Sequence, residues 1–130
     1  MTNSYDTVRR FYARLVAAEG EVADARFVEA FATIKREQFV GPAPWHIRVG
    51  KGYMVTETDD PIVLYQNILV GLAPDRYINN GQPSLHARCI GAALPQVGEV
   101  VVHAGAGTGY YKAKVADQVT TSTRYSLRIP

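Results

Sequence analysis

One cysteine, Cys89, is all the chain has. No internal disulfide can form and no cysteine-based zinc framework can be built, which agrees with a reducing compartment and leaves stability to packing. Apolar runs are short. None approaches the roughly 20 residues that cross a bilayer, and the opening MTNSYDTVRR lacks the apolar core of a secretory signal, so a cytoplasmic protein is expected. Charge of one sign is lacking too: 14 basic residues face 12 acidic ones, interspersed along the chain, which is no footprint for nucleic acid. Repeats and low-complexity tracts are absent. What is present is 130 residues, enough for one domain with a real core but not for two ordinary ones.

Val8, Phe11, Tyr12, Leu15 and Val16 have the i, i+3, i+4, i+7, i+8 spacing of one helical face, with Asn3 or Ser4 as cap and Gly20 as stop. A second helix is expected after Asp24, burying Phe27, Phe31 and Ile34 and ending before Gly41 and Pro42. Residues 41–60, rich in Gly and Pro, read as an irregular connector or small hairpin. These pieces make up a helical region with its connector, residues 1–60.

Residues 61–130 read differently. The stretch 61–72 is either a helix capped by Asp60 with Pro61 at its first position, or a buried strand followed by a loop. Asn79-Asn80-Gly81-Gln82-Pro83 is a turn leading to a helix that starts at Ser84 and stacks Leu85, Cys89, Ala92 and Ala93 on one face. Residues 99–104, with three consecutive valines, predict a strand buried on both faces, hence a parallel sheet. Gly105-Ala106-Gly107-Thr108-Gly109 follows, then a helix over 110–119 with Tyr111, Val115 and Val119 four apart, then an alternating stretch over 121–130 that predicts a second strand.

Strand, glycine loop and helix in that order bring backbone N–H groups and a helix dipole close to a ligand with no Cβ in the way. The spacing is G-x-G-x-G, whereas a dinucleotide fingerprint places its third glycine one position later, where this chain has Tyr110. Adenosyl ligands are therefore favoured over dinucleotides. No Gly-Lys-Ser/Thr follows, so the loop is not a P-loop. A purely structural turn is the competing explanation.

VVHAGAGTGYY resembles the first motif of class I S-adenosylmethionine-dependent methyltransferases. Lys35-Arg36-Glu37-Gln38-Phe39-Val40 is similar to the Arg-Glu-x-Phe-Val element of the protein-L-isoaspartate O-methyltransferase family, and Asn80-Gly81-Gln82-Pro83-Ser84 stands where that family has Gly-Gln-Thr-Ile-Ser. Order and spacing agree over residues 27–119. The resemblance implies an α/β fold: an N-terminal helical region followed by the first part of a Rossmann-like methyltransferase sheet, incomplete at the C-terminus. It also implies S-adenosylmethionine as cofactor and a protein or peptide carboxylate as methyl acceptor. The implied cofactor-binding residues are Gln82, Ser84, His103, Gly105, Ala106, Gly107, Thr108 and Gly109. Pro83, Ser84, Leu85 and His86 depart from the family's Thr, Ile, Ser and Gln, so the catalytic-site hydroxyl is either shifted by one residue to Ser84 or lost. His103 stands where the family has an acid, and a histidine simply packed at a strand end is the alternative.

Methyl transfer from a sulfonium releases a neutral thioether and depends mainly on in-line placement of the nucleophile, so the lack of an obvious base is no obstacle. Two other classes stay open. One is a truncated, non-catalytic module that binds nucleotide or self-associates through an open sheet edge. The other is a small NAD-binding fragment, disfavoured because Asp117 is the sole acid after the loop and no ribose-binding acid follows it.

Remaining candidates are weaker. His46, His86, Cys89 and His103 complete no zinc pattern, and no metal is expected. Glu57, Asp59 and Asp60 read as a cap or solvated turn. No G-x-S-x-G elbow supports a triad through Ser84 and His103. Phe11, Tyr12, Phe27 and Phe31 read as core, and Trp45 and Tyr53 equally as core or cleft lining.

Overall fold

The computed structural model describes residues 3–119. Helix α1 (Ser4–Glu19) starts where the Asn3 side chain accepts the Tyr5 amide, and it stops at Gly20. Helix α2 (Ala25–Thr33) starts the same way at Asp24, whose carboxylate accepts the Arg26 amide and pairs with its guanidinium. The two helices pack together as the expected α-hairpin.

The connector forms a real hairpin. Strands β1 (His46–Val49) and β2 (Gly52–Val55) pair antiparallel, His46 opposite Val55 and Val49 opposite Gly52, around a turn in which Gly50 has φ 55°. A second antiparallel pair, β3 (Gly71–Ala73) with β4 (Ile78–Asn79), joins the first through an isolated bridge between Ile47 and Val70. Helices α3 (Pro83–Ala93) and α4 (Tyr110–Val119) complete, among the described residues, a mixed α/β architecture of four α-helices and two small antiparallel sheets. Among the described residues no helix is long and apolar enough to cross a membrane.

One core cluster joins Tyr12, Val16, Phe27 and Phe31 from the hairpin to Tyr65, Ala87, Tyr110, Tyr111 and Val115. A smaller one gathers Val40, Trp45, Ile47, Leu64 and Val70, which settles Trp45 as core. Tyr53 is half-buried on the hairpin, where its hydroxyl accepts from Asn79 and its ring lies under Arg48.

Four expectations need correction. The apolar stripe of α1 is buried on only one side: Tyr12 and Val16 are inside with Ala13 and Ala17, while Phe11 is 65% exposed and Leu15 38%. The face chosen for α3 is the wrong one, since Pro83, Ala87 and Ile90 are buried and Leu85 and Cys89 are exposed. The end of α1 and α3 approach each other closely. A Cβ at Gly20 would lie 2.6 Å from that of Ala87, and one at Gly91 would lie 2.7 Å from Val22 Cγ2. Only small side chains fit at those two points of the seam.

The stretch 61–72 is neither helix nor strand throughout. Asp60 and Pro61 start a single 3₁₀ turn (Pro61–Leu64), and the chain then runs irregularly to β3 because Arg36 takes the carbonyls of Leu64, Gln66 and Ile68. Residues 99–104 are not a strand. Val100 is 94% exposed and Val102 88%, and no parallel pairing occurs among the described residues. An apolar run becomes a buried strand only with strands on both edges, and none lies alongside among the described residues. The strand expected over 121–130 falls outside the described residues, as does Thr120.

Candidate functional site

The glycine loop lies between the exposed run 99–104 and α4, and its backbone has the conformation its composition demands. Gly105, Gly107 and Gly109 have φ of 69°, 58° and 93°, a region L side chains rarely occupy. The Gly109 amide donates to the Ala106 carbonyl at 3.0 Å, closing the turn, and the Gly109 carbonyl accepts from Ala113 in the first turn of α4.

Two hydrogen bonds fasten this loop and helix to distant parts of the chain. Thr108 donates through its hydroxyl to the Phe39 carbonyl at 2.5 Å, and Tyr111 donates to the Gly81 carbonyl at 2.9 Å. The loop is thereby seated on residues 35–40 from one side and on the turn before α3 from the other. Between them opens a cleft of about 170 Å³, lined by His103, Gly105, Ala106, Gly107 and Thr108, by Asn80, Gly81 and His86, and by Tyr110 and Tyr111.

The histidines set the cleft's chemistry. The His86 ring stacks on Tyr111 with centroids 3.6 Å apart and planes within 4°, and the His103 ring lies 6.0 Å from it. Gly81 has φ 79° and no room for a Cβ, which would fall on His86 Nε2. Burial, with His103 nearby, holds the His86 imidazole below the usual histidine range, so it is neutral at pH 7. Burial also pushes the Tyr111 phenol upward, and it stays protonated as donor to Gly81.

Tyr110 forms the floor. Its hydroxyl shares a 3.1 Å hydrogen bond with that of Tyr12. Behind its ring are two fully buried basic side chains: the Arg36 guanidinium carbon lies 5.7 Å and Lys114 Nζ 4.3 Å from the ring centroid. Lys114 also lies 4.2 Å from the Phe31 centroid and donates to the carbonyls of Ala30 and Ile34, at the end of α2. Burial, with Arg36 nearby, holds its amine well below the usual lysine range.

The sign of that effect is testable. A lysine that loses its proton more easily when folded makes the unfolded chain the stronger proton binder, so stability rises with pH up to lysine's ordinary value near about 10.4. Lys114→Met should therefore raise the thermal midpoint at pH 6–7 and flatten its rise between pH 6 and 9.5, below the range where tyrosines ionise. Unchanged pH profiles in the two proteins would show that Lys114 is not desolvated.

Compared with known proteins, the chain matches no family model, no curated protein and no solved structure. The cleft is therefore read from its own geometry. Of the residues expected there, His103, Gly105, Ala106, Gly107 and Thr108 line it, and Gly109 closes the loop behind them. Gln82 and Ser84 do not line it. Gln82 occupies the N-cap of α3 without a side-chain cap bond, its carbonyl accepting from His86. Ser84 exchanges two hydrogen bonds with Asn67, its amide donating at 3.0 Å and its hydroxyl accepting at 2.9 Å.

Sequence reasoning missed Asn80, His86, Tyr110 and Tyr111 as cleft residues. Tyr111 was visible as a helix-face residue, but nothing local announces a partner thirty positions away at Gly81. Among the described residues no group of three metal-ligating side chains occurs.

Proposed function

We propose that this chain is an S-adenosylmethionine-dependent methyltransferase of the protein-L-isoaspartate O-methyltransferase type, acting in the cytoplasm on a protein or peptide carboxylate. The observation that carries this reading is that the glycine loop and α4 are tied to two other separated stretches, Thr108 to the Phe39 carbonyl and Tyr111 to the Gly81 carbonyl, with Asn80 and Gly81 lining the cleft beside the loop. Those are the stretches whose order resembles that family. Nucleic acid and membrane have no part in the reading.

Gly105, Ala106, Gly107 and Thr108 would hold the amino-acid end of the cofactor. They fit it because Gly105 would present its Cβ to open space and Gly107 adopts a φ that excludes ordinary side chains. The cleft is smaller than the about 300–1,000 Å³ of complete ligand pockets, so it would take only part of that cofactor. The cofactor supplies an electrophilic methyl group on a sulfonium. A carboxylate acceptor is already deprotonated at neutral pH, so the protein has only to align it. Ser84 serves as a positioning residue that fixes the start of α3, from which His86 reaches the cleft.

Gly98 donates its amide to the Val119 carbonyl at 2.8 Å, which returns the end of α4 to the start of the run 99–104. The exposure of Val100 and Val102 favours a second reading, a non-catalytic module that self-associates through this extended run.

Calorimetry with S-adenosylmethionine, S-adenosylhomocysteine and NAD separates these. Adenosyl binding by a monomer is expected; a dimer that takes neither adenosyl ligand supports the second reading, and preference for NAD would point to a dinucleotide fragment. Gly107→Val should abolish adenosyl binding, because valine is strained at φ 58° and its side chain would crowd the cleft near Leu72. Binding unchanged in that variant would move the site elsewhere.

A further inference from the structure

We infer that the cleft beside the glycine loop holds a tetrahedral oxyanion such as a phosphoryl group, with His86 and His103 making its affinity rise as the pH falls. The inference does not rest on the methyltransferase reading. It starts from the polar groups the cleft presents. Asn80 lines the cleft, its side-chain amide fixed where Oδ1 accepts the Val70 amide at 2.9 Å. His86 and His103 supply imidazoles 6.0 Å apart, each able to donate.

No aspartate or glutamate lines the cleft. Behind its floor, the buried Arg36 guanidinium donates to the carbonyl oxygens of Leu64, Gln66 and Ile68. A low-dielectric wall backed by this charge favours an anion and disfavours a cation. The volume, about 170 Å³, suits a headgroup and little more.

The pH dependence follows from the neighbours of the two rings. His86 faces His103 across the cleft and Tyr111 from α4, with the Gly81 backbone at its edge; Arg36 and Lys114 stand behind Tyr110. No carboxylate lines the cleft beside either imidazole, and burial, with His103 nearby, opposes protonation of His86 in the empty cleft. A bound anion reverses that, and binding takes up a proton.

Sulfate is the cleanest probe, since its charge is constant between pH 5.5 and 8.0. Its titration, followed through the imidazole C–H resonances, should shift both histidines and show about tenfold tighter binding at pH 5.5 than at pH 8.0. His103→Gln keeps a donor but cannot titrate, and should lose most of that ratio while circular dichroism shows an intact fold. Imidazole signals unmoved at saturating sulfate would overturn the inference, as would full pH dependence in His103→Gln. Acetate binding as tightly as sulfate would overturn the tetrahedral assignment. S-adenosylhomocysteine bound by a protein whose histidines ignore sulfate would sink this inference and leave the methyltransferase reading standing. Sulfate binding without any adenosyl binding would do the reverse.

Discussion

Arg36→Ala should cost about 3–5 kcal/mol of unfolding free energy, the loss typical when a buried charged partner is removed. The guanidinium is fully buried and donates to the carbonyls of Leu64 and Ile68 at 2.6 Å and of Gln66 at 3.0 Å. Hydrogen bonds to charged groups contribute about 1.5–3 kcal/mol each, and alanine would leave three acceptors in a cavity without a donor. The ring faces of Tyr12 and Tyr110 would lose the cation as well. Arg36→Lys keeps the charge but places one ammonium where a planar fork reached three oxygens, so it should recover only part of the loss. Urea unfolding measures both, with the slope checked for constancy. A loss below about 1 kcal/mol in Arg36→Ala would mean that residues 64–68 do not depend on the clamp.

Phe31→Ala is the second large effect, about 3–5 kcal/mol for a buried phenylalanine. Phe31 stacks on Phe27 with centroids 4.3 Å apart, meets Tyr12 and Tyr110 at 6.2 Å, and forms one wall around Lys114. Its removal opens a cavity beside an amine already short of solvation. The effects of Phe31→Ala and Lys114→Met should therefore fail to add, by about 0.5–3 kcal/mol in a double-mutant cycle. Strict additivity would show that the ring does not help to house the lysine.

These two positions mark the boundary of what was legible in the chain. Helix starts were readable because caps are local: Asn3, Asp24 and Asp60 each bond an amide two residues on. The glycine loop was readable because positive φ leaves a compositional trace. Buried faces were not, since which side of α1 is covered, Ala13 and Ala17 rather than Phe11 and Leu15, is set by what packs on it, and that is a tertiary fact. The run 99–104 was misread because valines report an ability to pair and say nothing about whether strands lie alongside. Arg36 was noticed for its place in a resemblance, but its burial depends on carbonyls some thirty residues away. The cleft was half legible for the same reason: His103 to Thr108 are contiguous, whereas Asn80, His86 and Tyr111 meet only after folding.

The Arg36 clamp also bears on how the protein opens. With one or two of its three carbonyls in place, the guanidinium would already be dehydrated yet incompletely bonded, a state worse than either extreme. Residues 36 and 64–68 must then join or part together. That couples the helical hairpin's exit to the segment ahead of β3 as one cooperative block, with amides on both sides exchanging with solvent at a common rate rather than fraying one by one.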